Sequence, residues 1–99
     1  MKELTSDNYK VETQNGVVLV DWYSPTCGPC RVMLPILEDL SNSFNVVKIN
    51  GWNAGSLAAE LKISKVPTLI FYKDGVKVQR LQGIQSKNEL IKIFETLST

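Results

Sequence analysis

Alternation of apolar and polar positions divides the chain into short strands and helices. The run from Val17 to Tyr23 is almost continuously apolar and β-branched, which is typical of a strand buried in a parallel sheet. From Cys30 onward the apolar residues recur at helical spacing. This spacing predicts an amphipathic helix whose apolar positions are Met33, Leu37, Leu40 and Phe44.

The second half of the chain continues with strands and turn signals. Val46 to Asn50 predicts a second strand, and Ser56 is the predicted N-cap of a short helix after the next loop. Thr68 to Lys73 and Val76 to Leu81 flank Asp74-Gly75, a turn signal typical of a β-hairpin. We therefore expect these last two strands to be antiparallel.

The two ends of the chain complete the predicted order. A short edge strand and a short helix are expected before Gly16, while Ser86 and Glu89 have the spacing of a capping box that opens a final helix. The resulting order predicts an α/β fold, a central mixed β-sheet with helices on both faces, because right-handed crossovers place helices there. With 99 residues, we expect one domain that spans residues 1–99.

Composition and charge exclude several classes of protein. The net charge is +1, which provides no broad field for binding nucleic acid or an anionic membrane. No apolar run approaches the roughly 20 residues of a membrane span, and the first residues lack the apolar segment of a signal peptide. The expected compartment is the cytoplasm.

The only two cysteines of the chain form the sequence Cys27-Gly28-Pro29-Cys30. They lie between the predicted strand and the amphipathic helix, where unpaired N–H groups and the helix dipole favour a thiolate. Cys27 is therefore the better placed nucleophile. A structural disulfide is uncommon in the cytoplasm, and the chain has no histidine to complete a zinc site, so the pair indicates redox chemistry.

Asp21 is an exception inside the apolar strand. A buried carboxylate is costly unless it is paired, hydrogen-bonded or protonated, and the alternative is an Asp at the strand end that faces water. If Asp21 is buried, desolvation raises its pKa, and a nearby ammonium opposes that shift. Lys48 of the second strand either extends its tip into solvent or lies near Asp21, if the two strands are neighbours.

An ordered set of residues resembles the thioredoxin family over nearly the whole chain. The shared features are Asp21, Cys27-Gly28-Pro29-Cys30, Pro35, Lys48, Val66-Pro67-Thr68, Asp74-Gly75 and Gly83. The resemblance implies the thioredoxin fold and a protein-disulfide reductase in which Cys27 attacks and Cys30 resolves. It also implies a cis bond before Pro67, although only about 5% of X-Pro bonds in folded proteins are cis.

The resemblance also implies roles for other residues and for partners. Asp21 is the candidate base for the proton of Cys30, and Lys48 is expected to be one of the catalytic residues, together with Cys27, Cys30 and Asp21. The redox disulfide needs no other cofactor or metal. Thioredoxin reductase is the expected electron donor, disulfide-containing proteins such as ribonucleotide reductase are the expected targets, and a monomer is expected, with no nucleic acid or membrane partner. The expected substrate-binding residues are Gly28, Pro29, Val66, Pro67 and Gly83.

Three positions depart from the family pattern. Tyr23 and Thr26 stand where thioredoxins usually carry tryptophan, and Trp52 stands where an Asp is expected in the loop after the second strand. Trp52 either covers the same surface or packs on the core. We expect these three residues to affect partner choice more than thiol chemistry. A glutathione-dependent, glutaredoxin-like reductase and a thioredoxin-like interaction module with an incidental dithiol remain the alternatives.

Overall fold

The computed structural model describes residues 1–99 and contains a five-stranded mixed sheet with helices on both faces. The strands are β1 (Lys2–Leu4), β2 (Val17–Tyr23), β3 (Val46–Asn50), β4 (Thr68–Lys73) and β5 (Val76–Gln82). The helices are α1 (Tyr9–Glu12), α2 (Gly28–Leu40), α3 (Gly55–Glu60) and α4 (Lys87–Leu97), with a 3₁₀ turn at Gly51–Asn53. The predicted fold class is confirmed.

The sheet has the strand order β1-β3-β2-β4-β5, with β2 at its centre. Strands β1 and β2 pair parallel to β3, whereas β4 pairs antiparallel to both β2 and β5. The central position explains why β2 is apolar along its length, since both of its faces are covered. The carboxyl end of β2 leads directly to the cysteine pair.

The two faces of the sheet carry separate apolar cores. On one face, Trp22 of β2 packs with Tyr9 of α1 and with the partly buried Leu57 of α3. On the other face, Leu19 of β2 packs with apolar residues of α2 and α4, among them Phe94. Alternate β2 side chains point to opposite faces, so Asp21 lies on the face of α2 and α4.

Two local predictions, a turn and a helix cap, are confirmed. Asp74 and Gly75 both have positive φ, 50° and 86°, as a two-residue turn between antiparallel strands requires. Ser86 caps α4, because its side-chain oxygen accepts the Glu89 backbone N–H at 3.1 Å.

Two predicted helix assignments were wrong. Ala54 occupies the N-cap of α3, and Ser56 lies inside its first turn and makes no capping hydrogen bond. Helix α2 ends at Leu40, where turn hydrogen bonds reverse the chain, so Phe44 lies beyond the helix. Phe44 still reaches the core and stacks on Phe94 with ring centroids 4.3 Å apart. Its apolar character therefore reflects tertiary packing rather than helical periodicity.

None of the helices combines the length and the apolar character that crossing a membrane requires.

Candidate active site

The cysteine pair lies where β2 gives way to α2. Cys27 and Cys30 form a disulfide with a Cα–Cα distance of 5.2 Å. Both residues are largely buried, Cys27 at 9% and Cys30 at 6% exposure, so overall exposure does not separate their roles. Their positions relative to helix α2 distinguish the two cysteines.

Cys27 is the N-cap of α2, whereas Cys30 lies inside the first turn. The Cys27 backbone is extended, and its sulfur accepts the Cys30 backbone N–H at 3.1 Å. After reduction, this donor and the positive end of the helix dipole favour the Cys27 thiolate. Gly28 and Pro29 form the first helical positions and are exposed, and there the missing N–H of proline leaves no helical bond unmade.

A second chain segment approaches the sulfur of Cys27. The Val66–Pro67 bond is cis, as the family resemblance implied, and the Val66 carbonyl oxygen lies 3.5 Å from Cys27 Sγ. The Gly83 N–H donates to the Pro67 carbonyl at 2.9 Å, and Gly83 has a φ of 82°, which favours glycine. Residues far apart in sequence therefore meet beside the disulfide.

Asp21 is buried, at 2% exposure, and its Oδ1 atom has no hydrogen-bond partner. Burial raises the pKa of Asp21 from its ordinary 3.8 to about 7, the charge of Lys48 opposes this shift, and the charge of Glu3 adds to it. Asp21 and Lys48 are register partners on neighbouring strands, so of the two alternatives for Lys48 the position near Asp21 is confirmed. The alternative of a water-facing Asp21 is wrong, because the sheet and α2 cover this position.

A cavity of about 150 Å³ connects the buried acid with the redox centre. Asp21 and Cys30 both line it, together with Lys48 and Arg31. The cavity is large enough to hold water, and the Asp21 carboxyl and the Cys30 sulfur border the same space.

The positions that depart from the family pattern surround this site. Tyr23 is half-buried, Thr26 is exposed directly before Cys27, and Trp52 is 65% exposed. Trp52 therefore does not pack into the core, and that alternative is wrong. Tyr23 and Trp52 instead line one groove of about 210 Å³ with Val66.

Sequence reasoning missed two charged contributors to this region. Glu3, in the edge strand β1, accepts a hydrogen bond from the Tyr23 hydroxyl at 2.6 Å. Arg31 borders the cavity and directs its guanidinium at the Pro25 carbonyl. The position of Arg31 could have been found, because it directly follows Cys30 in the sequence. The position of Glu3 depends on the register of β1 against β3, and a strand of three residues contains no signal that predicts this register.

The structure contains no group of three or more His, Cys, Asp or Glu side chains that could hold a metal ion. The arrangement supplies a dithiol, a helix N-terminus and one buried acid. It is suited to thiol–disulfide exchange.

Comparison with known proteins gives consistent results. Residues 1–96 match the family model described as Thioredoxin. The chain is 35% identical over 97 residues to a thioredoxin of Staphylococcus saprophyticus, covering 94% of the chain and 93% of that protein. It is 36% identical to a thioredoxin of Chlamydia pneumoniae, covering 95% of each. The solved structure of a mutant thioredoxin from Halobacterium salinarum superposes with a TM-score of 0.93 at 29% identity, covering 99% of this chain and 90% of that one.

Proposed function

This chain belongs to the thioredoxin family, and we propose how its active-site residues divide the reaction between them. The protein is a thiol-disulfide oxidoreductase that reduces protein disulfides by dithiol exchange through Cys27 and Cys30. The observation that carries the assignment of roles is the placement of Cys27 outside α2, with its sulfur accepting the Cys30 N–H. Neither a glutaredoxin-like reductase nor a non-catalytic interaction module is better supported.

In the first step, the Cys27 thiolate attacks one sulfur of the substrate disulfide. The substrate S–S bond breaks, one substrate thiolate leaves and takes a proton, and a mixed disulfide joins Cys27 to the substrate. In the second step, Cys30 loses its proton and attacks the Cys27 sulfur. The Cys27–Cys30 disulfide forms, the second substrate thiolate leaves, and two electrons have passed from the dithiol to the substrate.

Asp21 is proposed as the base that receives the Cys30 proton. Support comes from its burial, from its pKa of about 7 and from the cavity that it shares with Cys30. A base with a pKa near the working pH is well matched to this transfer. Lys48 opposes the rise in the pKa of Asp21 and so keeps part of the acid ionised at neutral pH.

The substrate-binding surface is proposed to surround Cys27. Support comes from Gly28 and Pro29, which follow Cys27 and are exposed, and from the Val66 carbonyl, which lies 3.5 Å from the Cys27 sulfur directly before Pro67. The Gly83 N–H donates a hydrogen bond to the Pro67 carbonyl, and we place Gly83 at the border of this substrate-binding surface. An extended substrate strand lying along Val66 would gain backbone hydrogen bonds and present its disulfide to Cys27.

The family membership indicates disulfide-containing targets and a reductase partner. More specifically, we propose thioredoxin reductase as the electron donor and ribonucleotide reductase among the targets, with the chain acting as a single-domain monomer over residues 1–99. The Cys27–Cys30 disulfide is its redox group, without a further cofactor. A dithiol that works as a reductant suits the cytoplasm, where thiols are kept reduced.

Single-cysteine variants test the order of attack. Cys30→Ser leaves the nucleophile but no resolving thiol, so it should accumulate mixed disulfides with oxidised insulin, whereas Cys27→Ser should not. Iodoacetamide should label Cys27 first in the reduced protein near neutral pH. The double variant serves as the control for non-specific trapping. Equal trapping by the two single variants, or earlier labelling of Cys30, would reverse the assigned roles.

Insulin disulfide reduction tests the partner. The reaction is measured once with NADPH and thioredoxin reductase, and once with NADPH, glutathione and glutathione reductase. We expect turnover with thioredoxin reductase and little with glutathione. Efficient turnover only with glutathione would favour the glutaredoxin-like alternative. Absence of turnover in both systems, with a partner-dependent activity that survives in the double cysteine variant, would favour the interaction module.

A further inference from the structure

Three charged side chains form a row across three neighbouring strands. Glu3 of β1 is the register partner of Lys48 in β3, and Lys48 is in turn the register partner of Asp21 in β2. Partners across a sheet point to the same face, so the ammonium lies between two carboxylates. Glu3 occupies the edge position of this row and is largely exposed, whereas Asp21 is buried.

The contacts within the row are unequal. Lys48 Nζ lies 3.9 Å from Glu3 Oε1, and this is the only ion pair that Lys48 makes. The Tyr23 hydroxyl donates to the same Glu3 oxygen at 2.6 Å, and Lys48 Nζ lies 5.5 Å from the Tyr23 ring centroid. Asp21 Oδ1, by contrast, has no partner. The ammonium therefore pairs with Glu3 at the edge of the sheet and forms no ion pair with the buried acid beside it.

We propose that Glu3, held by the Tyr23 hydroxyl, is a positioning residue that keeps the Lys48 ammonium at the edge of the sheet and thereby sets the proton affinity of Asp21. This inference rests on the proposed role of Asp21 as the base for Cys30. Glu3 touches neither sulfur and acts only through Lys48 and through its own charge. Tyr23 contributes through its hydroxyl, which donates to the Glu3 carboxylate.

The surroundings of Asp21 are consistent with this control. The charged and titratable groups that face it are Lys48 from β3, Glu3 from β1, the Tyr23 hydroxyl from its own strand, and Arg31 and Cys30 from α2. On the β4 side its register partner is Leu69, which carries no charge. Burial raises the pKa of Tyr23, and its bond to Glu3 adds to this rise, so the hydroxyl stays protonated and remains a donor.

The test is a ¹³C NMR titration of the Asp21 carboxyl in the oxidised protein. In that form Cys27 and Cys30 do not titrate, so Asp21 is observed without their coupling. The variants are Glu3→Gln, Lys48→Met and the two combined. Glu95→Gln is the matched control, because Glu95 is exposed on α4 and makes no ion pair.

Glu3 and Asp21 are two strand spacings apart, about 10 Å, and at that distance a charge acting through a water-like dielectric changes the acid dissociation constant by about twofold. We expect Glu3→Gln to raise the acid dissociation constant of Asp21 by more than this direct effect, about fourfold or above. The reason is that the variant also frees the Lys48 ammonium to move toward Asp21. In the Lys48→Met background, the same change should give only the direct effect of about twofold. Lys48→Met alone should lower the constant, and Glu95→Gln should leave it unchanged.

Equal effects of Glu3→Gln in both backgrounds would overturn the proposal, since Glu3 would then act by its charge alone. No effect in either background would overturn it as well. Tyr23→Phe keeps the ring and removes the hydroxyl, so it should shift the Asp21 constant in the same direction as Glu3→Gln, by a smaller factor. An unchanged constant in Tyr23→Phe would contradict the holding role of the hydroxyl.

A kinetic measurement separates this inference from the proposed function. The rate of mixed-disulfide resolution is followed against pH in the native protein, in Asp21→Asn and in Glu3→Gln. We expect the acidic limb to move to lower pH in Glu3→Gln and to vanish in Asp21→Asn. A native-like profile in Asp21→Asn would remove Asp21 as the base of the reaction, while the NMR titrations would still decide the role of Glu3.

Discussion

Replacement of Asp21 by asparagine should stabilise the oxidised protein at neutral and alkaline pH. Folding places the Asp21 carboxyl in a site with 2% exposure, where Oδ1 has no hydrogen-bond partner. Burial raises its pKa from 3.8 to about 7, against the opposing charge of Lys48. The folded protein therefore favours the neutral acid, and asparagine is neutral at every pH while keeping nearly the same shape.

The sign of the effect follows from where the two states lose the Asp21 proton. The pKa is higher in the folded state, so the folded protein holds the proton more tightly than the unfolded chain. Well below the ordinary pKa of 3.8 the group is neutral in both states and has no effect. As the pH rises toward the folded value, the unfolded chain ionises first, and the free energy of unfolding falls. The difference of about three units corresponds to about 4 kcal/mol at pH 8 and about 3 kcal/mol at pH 6.

The assay is urea unfolding of the oxidised native protein and of Asp21→Asn at several pH values between about 4 and 8. Other carboxyl groups titrate in this range, but they are shared by the two proteins and cancel in the difference. Asp7→Asn is the matched control, because Asp7 is exposed in a turn and undergoes the same change in charge. We expect a stability difference that grows with pH for Asp21→Asn and stays near zero for Asp7→Asn.

Two results would refute this reasoning. If Asp21→Asn were no more stable than the native protein at pH 8, the buried carboxylate would not be a cost to folding. If the difference were large but independent of pH, it would come from packing or hydrogen bonding of the amide rather than from ionisation.

Two further substitutions test features at other places in the fold. Ser86→Ala removes the oxygen that accepts the Glu89 N–H at the start of α4, so chemical denaturation should show a loss of about 1 kcal/mol, and Ser56→Ala, which removes no cap, should show little. Equal losses in the two serine variants would contradict the capping assignment. Thr26→Trp adds a large ring beside Cys27, so steady-state kinetics should show a greater change in the KM for thioredoxin reductase than in the rate toward a small disulfide. A comparable change toward both substrates would mean that Thr26 shapes the cysteine motif itself.

Local sequence was sufficient for much of the fold. The apolar run of β2 marks a strand by its composition alone, and the turn at Asp74 and Gly75 and the Ser86 cap depend on residues close in the chain. The cysteine motif was likewise local, since a strand followed by a helix places Cys27 at the helix N-terminus. The family resemblance added the cis bond before Pro67, which no local pattern indicated.

Helix ends were less predictable. Phe44 has the right spacing for α2 but lies beyond it, and Ser56 is a suitable capping residue that does not cap. In both cases the chain path is decided by contacts with the rest of the molecule, such as the stacking of Phe44 on Phe94. Spacing and residue type alone cannot distinguish a helical position from a loop residue that reaches the core.

By itself, the sequence determined the order of the elements, the dithiol and the presence of an acid within a buried strand. Only the tertiary structure decided what surrounds that acid. Strand register aligns Glu3, Lys48 and Asp21 in one row, although they come from three separate parts of the chain. Register between distant strands is set by packing of the whole sheet, and a shift of one residue would turn Glu3 to the opposite face. For that reason the proton affinity of Asp21 is a property of the folded sheet rather than of any local motif.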